Sequence, residues 1–93
     1  MSQNPRDVEA RALQAQKAGE YRVAIELWRA IIELQPNWEH GYAHYYLADC
    51  YIMVGDSDRA EQEYRRAIDL APQDELFSIA LQSLVDARRS GVL

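Results

Sequence analysis

One cysteine, three prolines and four glycines are all that the 93 residues contain of the types that staple or interrupt a chain. A single thiol, Cys50, excludes an internal disulfide and a cysteine metal cage. Ten residues are basic against fifteen acidic, a formal net charge of −5. That balance argues against nucleic acid or an anionic membrane as partner, because both demand clustered positive charge. No apolar run approaches the roughly 20 residues that cross a bilayer. The stretch Met1–Asp7 is polar and carries no apolar signal region, so a cytoplasmic protein is the plain expectation. No glycine-rich phosphate loop, nucleophile elbow or dinucleotide fingerprint is found. The acidic residues fall mostly on helix surfaces rather than as a pair suited to acid–base work. Neither enzymatic activity nor a cofactor is expected.

What the chain does have is apolar mass and self-similarity. Apolar residues make up 48% of it, too many for a disordered chain and enough for a core. The length allows one small domain, expected over 1–93, burying only roughly 60–65% of its unfolded surface and therefore thin in stability. A shift of 36 residues carries Gly19 onto Gly55, Gly55 onto Gly91 and Pro36 onto Pro72. The same shift matches Ala12 with Ala48, Ala24 with Ala60, Arg29 with Arg65, Ile32 with Ile68 and Leu34 with Leu70, and replaces Trp28 by Tyr64.

Between these marks the apolar residues recur at three- and four-residue steps, the helical period. Asn4-Pro5 is a cap followed by a first-turn proline and starts a helix to about Ala18, with Val8, Ala12 and Ala15 on one stripe. Gly19 can take the left-handed conformation that ends it. A second helix spans about Tyr21–Leu34, with Ala24, Ile25, Trp28, Ile31 and Ile32 inward, and Pro36 stops it. A third spans about Trp38–Val54, with Leu47, Ala48 and Tyr51 as its stripe. A fourth spans about Asp58–Leu70, with Ala60, Tyr64, Ala67 and Ile68 inward, and Pro72 stops it. A fifth spans about Glu75–Ser90, capped by Asp74 and stopped by Gly91, with Phe77, Ala80, Leu81, Leu84 and Val85 apolar. No segment alternates at period two long enough for a strand.

Three side-chain patterns invite a chemical reading, and each has a plainer one. His40 and His44 are four apart, a spacing at which two imidazoles on a helix share a metal. The glutamate that would activate water is missing, since Gly41 follows His40, and no third ligand is evident; a metal-binding regulator is only a distant alternative. Cys50 has no basic residue within a helical turn, which favours packing over a reactive thiolate. Arg65-Arg66 and Arg88-Arg89 are diluted by Glu61, Glu63, Asp69 and Asp86. The pairs Arg22–Glu26, Arg29–Glu33, Arg59–Glu63 and Glu61–Arg65 read as a solvated outer face, each worth about 0.2–0.5 kcal/mol.

The units resemble the tetratricopeptide repeat, a 34-residue helix–turn–helix with a tryptophan–leucine–glycine–tyrosine first helix and an alanine–aromatic–alanine–proline second helix. The second unit is similar through Leu47, Ala48, Tyr51, Gly55-Asp56, Ala60, Tyr64, Ala67 and Pro72, with His44 where the family places tryptophan. The first is similar through Gly19-Glu20-Tyr21, Ala24, Trp28 and Pro36-Asn37. It departs in its first helix, where Arg11 stands for leucine, and at Ile31, which stands for alanine. The link at Trp38–Tyr42 is two residues longer than the family norm.

The resemblance implies an all-α fold: two such helix pairs, about 5–38 and 39–74, plus a capping helix about 75–90, stacked as a right-handed superhelix. It also implies a concave groove lined by the first helices, where partner peptides lie. The lysine–arginine–asparagine clamp that some family grooves use for a terminal carboxylate is disfavoured, because those positions carry Glu9, Leu13 and Tyr46.

The third helix is apolar almost all round, which implies burial on both sides. Its second stripe, Tyr42, Tyr45, Asp49, Ile52 and Met53 with Tyr46 beside it, is the expected groove wall, joined by Leu13 and Ile79. The expected function is a protein-interaction module that binds an apolar or amphipathic segment of a protein or peptide partner. The rival is an assembly unit whose groove or edge is buried in a homodimer. A plainer alternative for the tyrosines is that the fifth helix covers them as core.

Overall fold

The computed structural model describes residues 4–92. The ends of the expected 1–93 domain, including the start of Met1–Asp7, lie outside the described residues. Five helices follow one another: α1 (Pro5–Lys17), α2 (Tyr21–Leu34), α3 (Tyr42–Met53), α4 (Ser57–Leu70) and α5 (Glu75–Arg89). Among the described residues there is no strand, and no helix is long and apolar enough to cross a membrane.

Local chemistry accounts for most of the boundaries. The Asn4 carboxamide accepts from the Arg6 amide at 2.9 Å, with Pro5 opening α1. Asp56 and Asp74 cap α4 and α5 in the same way, accepting from the Arg59 and Leu76 amides. The helices α1, α3 and α5 all end on one device. Gly19, Gly55 and Gly91 sit at φ between +80° and +84°. The amide that follows each reaches back to a carbonyl five residues earlier: Glu20 to Ala15, Asp56 to Tyr51 and Val92 to Ala87. The repeated glycines are therefore three copies of one terminator. The helices α2 and α4 stop because Gln35 and Ala71 precede prolines and leave helical geometry.

The expected start of the third helix at Trp38 is wrong. Trp38–Gly41 forms a tight turn in which Glu39 and His40 both have positive φ, 48° and 52°, and α3 begins only at Tyr42. Long-range anchors impose this. Trp38 is buried, and its indole N–H donates to Glu9 Oε2 on α1 at 3.1 Å. The Arg6 guanidinium lies 4.8 Å over the Trp38 ring and pairs with Glu39 at 2.6 Å. Gly41, at φ +102°, runs so close to α4 and α5 that a Cβ there would meet the Ala67 carbonyl oxygen at 3.0 Å and the Phe77 ring at 3.2 Å. The two extra residues of the link are spent on tying it back to the first helix.

Each helix packs on its sequence neighbours. The core runs through Val8, Ala12 and Ala15 of α1, Ala24, Ile25, Trp28 and Ile31 of α2, Leu47, Ala48 and Tyr51 of α3, Tyr64 of α4, and Leu84 of α5. Phe77 joins a smaller cluster with Ala67 and Ala71. Trp28 and Tyr64, at matching positions of α2 and α4, are both buried. Each also reaches a polar partner on its paired helix: Trp28 donates to Gln16 Oε1 at 3.0 Å, and the Tyr64 hydroxyl donates to Asp49. Ile32 is only half-buried, and Arg11 points to solvent. Arg88 holds α5 to the start of α4 through Asp58, Glu61 and the Ser57 carbonyl.

Only one of the four expected outer-face pairs forms among the described residues. Glu61–Arg65 forms at 3.1 Å, but Arg59 turns back to Asp56, and Glu63 is buried. Glu63 instead meets His44 and Arg66. Arg22–Glu26 and Arg29–Glu33 form no ion pair among the described residues.

Candidate functional site

The helix α3 carries six of the eight residues expected to line the groove. One side of it, with Ala43, His44, Leu47, Ala48 and Tyr51, is buried. The other presents Tyr42, Tyr45, Asp49 and Ile52, all half-buried, and Met53, which is 58% exposed. Tyr46 lies beside them, also half-buried.

The rings form a connected chain. Tyr46 stacks on Trp28 with centroids 5.0 Å apart and an interplanar angle of 17°. Tyr45 meets Tyr46 at 5.5 Å, Phe77 at 5.4 Å and Tyr64 at 5.9 Å. Tyr42 meets Phe77 at 5.1 Å edge to face, and Tyr45 at 6.0 Å. The inner edges of the tyrosines are thus fixed by the core, and α5 covers Tyr42 and Tyr45 in part through Phe77. The outer parts of all three stay in contact with solvent. Leu13, 40% exposed, and Ile79, 61% exposed, stand outside the packed clusters, as does Met53. The structure therefore brings together Tyr42, Tyr45, Tyr46 and Asp49. It leaves Leu13, Met53 and Ile79 as separate apolar contacts.

Two carboxylates stand among the rings. Asp49 Oδ1 accepts the Tyr64 hydroxyl, and burial holds the Asp49 carboxyl above its ordinary range, with the Tyr64 hydrogen bond opposing. Asp74 caps α5 and lies beside Tyr42; its charge is the largest influence raising the Tyr42 hydroxyl, followed by burial. The Tyr45 hydroxyl is raised first by burial and then by the charge of Asp49. Tyr64 is raised by burial and by its bond to Asp49. All of these hydroxyls stay protonated at neutral pH and act as hydrogen-bond donors. Asp74 escaped the sequence reading because its cap role already explained it. Its approach to Tyr42 is a tertiary contact across 32 residues of chain.

Of the remaining chemistry-bearing residues, Cys50 and His44 are buried and His40 is exposed. The Cys50 thiol is buried, and burial with the charge of Asp49 pushes it up to about 12, so it is no nucleophile at neutral pH. His40 and His44 do not share a helix face, because His40 lies in the left-handed turn and His44 within α3. Both His44 ring nitrogens are engaged, Nδ1 with Glu63 Oε1 at 2.7 Å and Nε2 with the Pro36 carbonyl at 3.2 Å. The helical spacing that suggested a shared metal is thereby corrected. No group of three potential ligands occurs among the described residues. A cleft of about 470 Å3 between α2 and α4 is lined by Arg29, Glu33, Arg59 and the same His44–Glu63–Arg66 set; the last three pair through Glu63, and Arg59 pairs with Asp56. What the α3 surface offers is contact: flat apolar rings, hydroxyl donors and carboxylate acceptors.

A family model described as tetratricopeptide repeat matches residues 8–75. No curated protein matches the chain.

Proposed function

The chain belongs to the tetratricopeptide repeat family, whose members typically serve as non-catalytic protein–protein interaction modules, and we propose that its α3 surface holds an apolar or amphipathic segment of a partner polypeptide. The observation that carries this reading is the two-sided burial of α3. Its Leu47–Ala48–Tyr51 side is sealed in the core, while three tyrosines on the other keep part of their rings in solvent. Half-exposed tyrosines give large, stiff contact areas with a hydroxyl for the partner's backbone, and tyrosine is enriched among residues that dominate binding energy. Met53, Ile79 and Leu13 add exposed apolar side chains of the kind that binding surfaces use.

The rings themselves are poor targets for a test, because Tyr46 supports Trp28 and Tyr45 supports Tyr64 and Phe77. Met53→Glu combined with Ile79→Glu alters two side chains that are more than half exposed. The double variant should keep the helical circular dichroism and melting point of the parent and lose partner capture in a pulldown. Capture unchanged by a folded double variant would remove the reading. Light scattering across concentration addresses the homodimer rival: a tight dimer that the same double variant dissociates would assign the surface to self-association.

A further inference from the structure

We infer that the segment held on the α3 surface is basic, presenting lysine or arginine side chains to the tyrosine rings between Asp49 and Asp74. This rests on the reading of that surface as a protein-binding site and adds the chemistry of the occupant.

Three observations carry it. First, two carboxylates and, among the described residues, no cation act on these tyrosines. The charges that act on the Tyr42 and Tyr45 hydroxyls are Asp49 and Asp74 together with the neighbouring tyrosines, with no lysine or arginine among them. Second, Asp49 has an oxygen to spare: it binds Tyr64 through Oδ1, and no hydrogen bond among the described residues engages its Oδ2, while Asp74 caps Leu76 through Oδ1 and also faces the Tyr42 hydroxyl. Third, the rings lie 5.5–6.1 Å apart around this pair, so a cation placed between the carboxylates also meets aromatic faces, whose negative quadrupole attracts it.

The protein itself demonstrates the arrangement elsewhere. The Arg6 guanidinium lies over the Trp38 ring and pairs with both Glu9 and Glu39. One aromatic–carboxylate niche is thus filled by the chain's own cation, and the α3 niche is not. A second copy docking through the same face would oppose two cation-free, carboxylate-bearing surfaces, an arrangement that like charges penalise. A basic amphipathic segment instead meets the tyrosines and Met53 with its apolar side and the carboxylates with its charges.

The test uses the full chain and two synthetic 14-residue helical peptides, one of leucine and lysine, the other identical with glutamate for lysine. Titration followed by amide chemical shifts should show the leucine–lysine peptide perturbing Tyr45 and Asp49 and binding at least about tenfold tighter than its acidic counterpart at low salt. Asp49→Asn with Asp74→Asn keeps the acceptor for Tyr64 and the helix cap, and should weaken the basic peptide about three- to tenfold. Glu26→Gln with Glu33→Gln removes the same charge from the outer face and should change affinity by less than about twofold. Equal losses from the two variant pairs would mean general attraction to an acidic protein and would overturn the inference. Equal or tighter binding of the acidic peptide at Tyr45 and Asp49 would overturn it while leaving the binding surface in place. Failure of both peptides to perturb these residues would overturn the surface as well. Should Asp49→Asn with Asp74→Asn unfold, the comparison of peptides on the unaltered protein decides.

Discussion

Trp28 shows how one side chain can hold a domain of this size together. It is fully buried, stacks on Tyr46 and reaches Gln16, so it joins α2 to both α1 and α3. Truncation to alanine should cost about 3–5 kcal/mol, comparable to the whole stability of a small domain, and urea unfolding should show the variant largely unfolded without denaturant. A near-normal midpoint would mean the core is elsewhere. Cys50 makes a pH-dependent case. Its thiol is raised to about 12, so alkylation of the folded protein at pH 8 should run roughly a thousandfold slower than that of a free cysteine. The rate should climb with pH without levelling near 8.5, and it should become ordinary once the chain is unfolded. Trp28 and Tyr64 were legible as core in the sequence because helical period alone places them inward, and Cys50 because no basic residue lies within a helical turn of it. Glu63 was not. Four residues after Arg59 it has the spacing of a surface pair, and what buries it is His44, 19 residues earlier on another helix.

At the scale of the element, boundaries written in local chemistry could be read, and the one written in tertiary contact could not. Capping side chains, terminal glycines and pre-proline residues act within four or five residues of themselves, so α2 falls where its sequence places it and the others within a few residues. The start of α3 depends on Trp38 finding Glu9, 29 residues away, and on Gly41 passing under Ala67 and Phe77. Nothing within the segment Trp38–Tyr42 states those partners. The same contacts predict how α1 is secured. Trp38→Leu removes the indole donor and the ring beneath Arg6, so amide exchange should quicken through Pro5–Ala12 while protection in α3 and α4 is kept. Uniform loss of protection would instead make Trp38 part of a single cooperative core. The tyrosine stripe of α3 was likewise readable from its period, and its partial cover by Phe77 only from the packing of α5.

Across the whole molecule, the helices form a row in which α1 meets α2, α2 meets α3, α3 meets α4 and α4 meets α5. The row measures 47 × 29 × 17 Å, so its thin axis is little more than one helix with its side chains. Such a row puts a large share of each helix near solvent, which is why α3 can support a core on one side and keep tyrosines wet on the other. It also governs how fast the structure can assemble. Every main interface joins segments adjacent in the chain, so no long loop must close before contacts form, and the search for the native arrangement is short. Folding from urea should therefore be complete within about a millisecond, in the range of other locally connected helical proteins. Stopped-flow mixing should find the reaction finished in its dead time, and a temperature jump should resolve it. The ends of such a row can also open while its middle remains closed. A partner lying along α3 would grip the part that opens last.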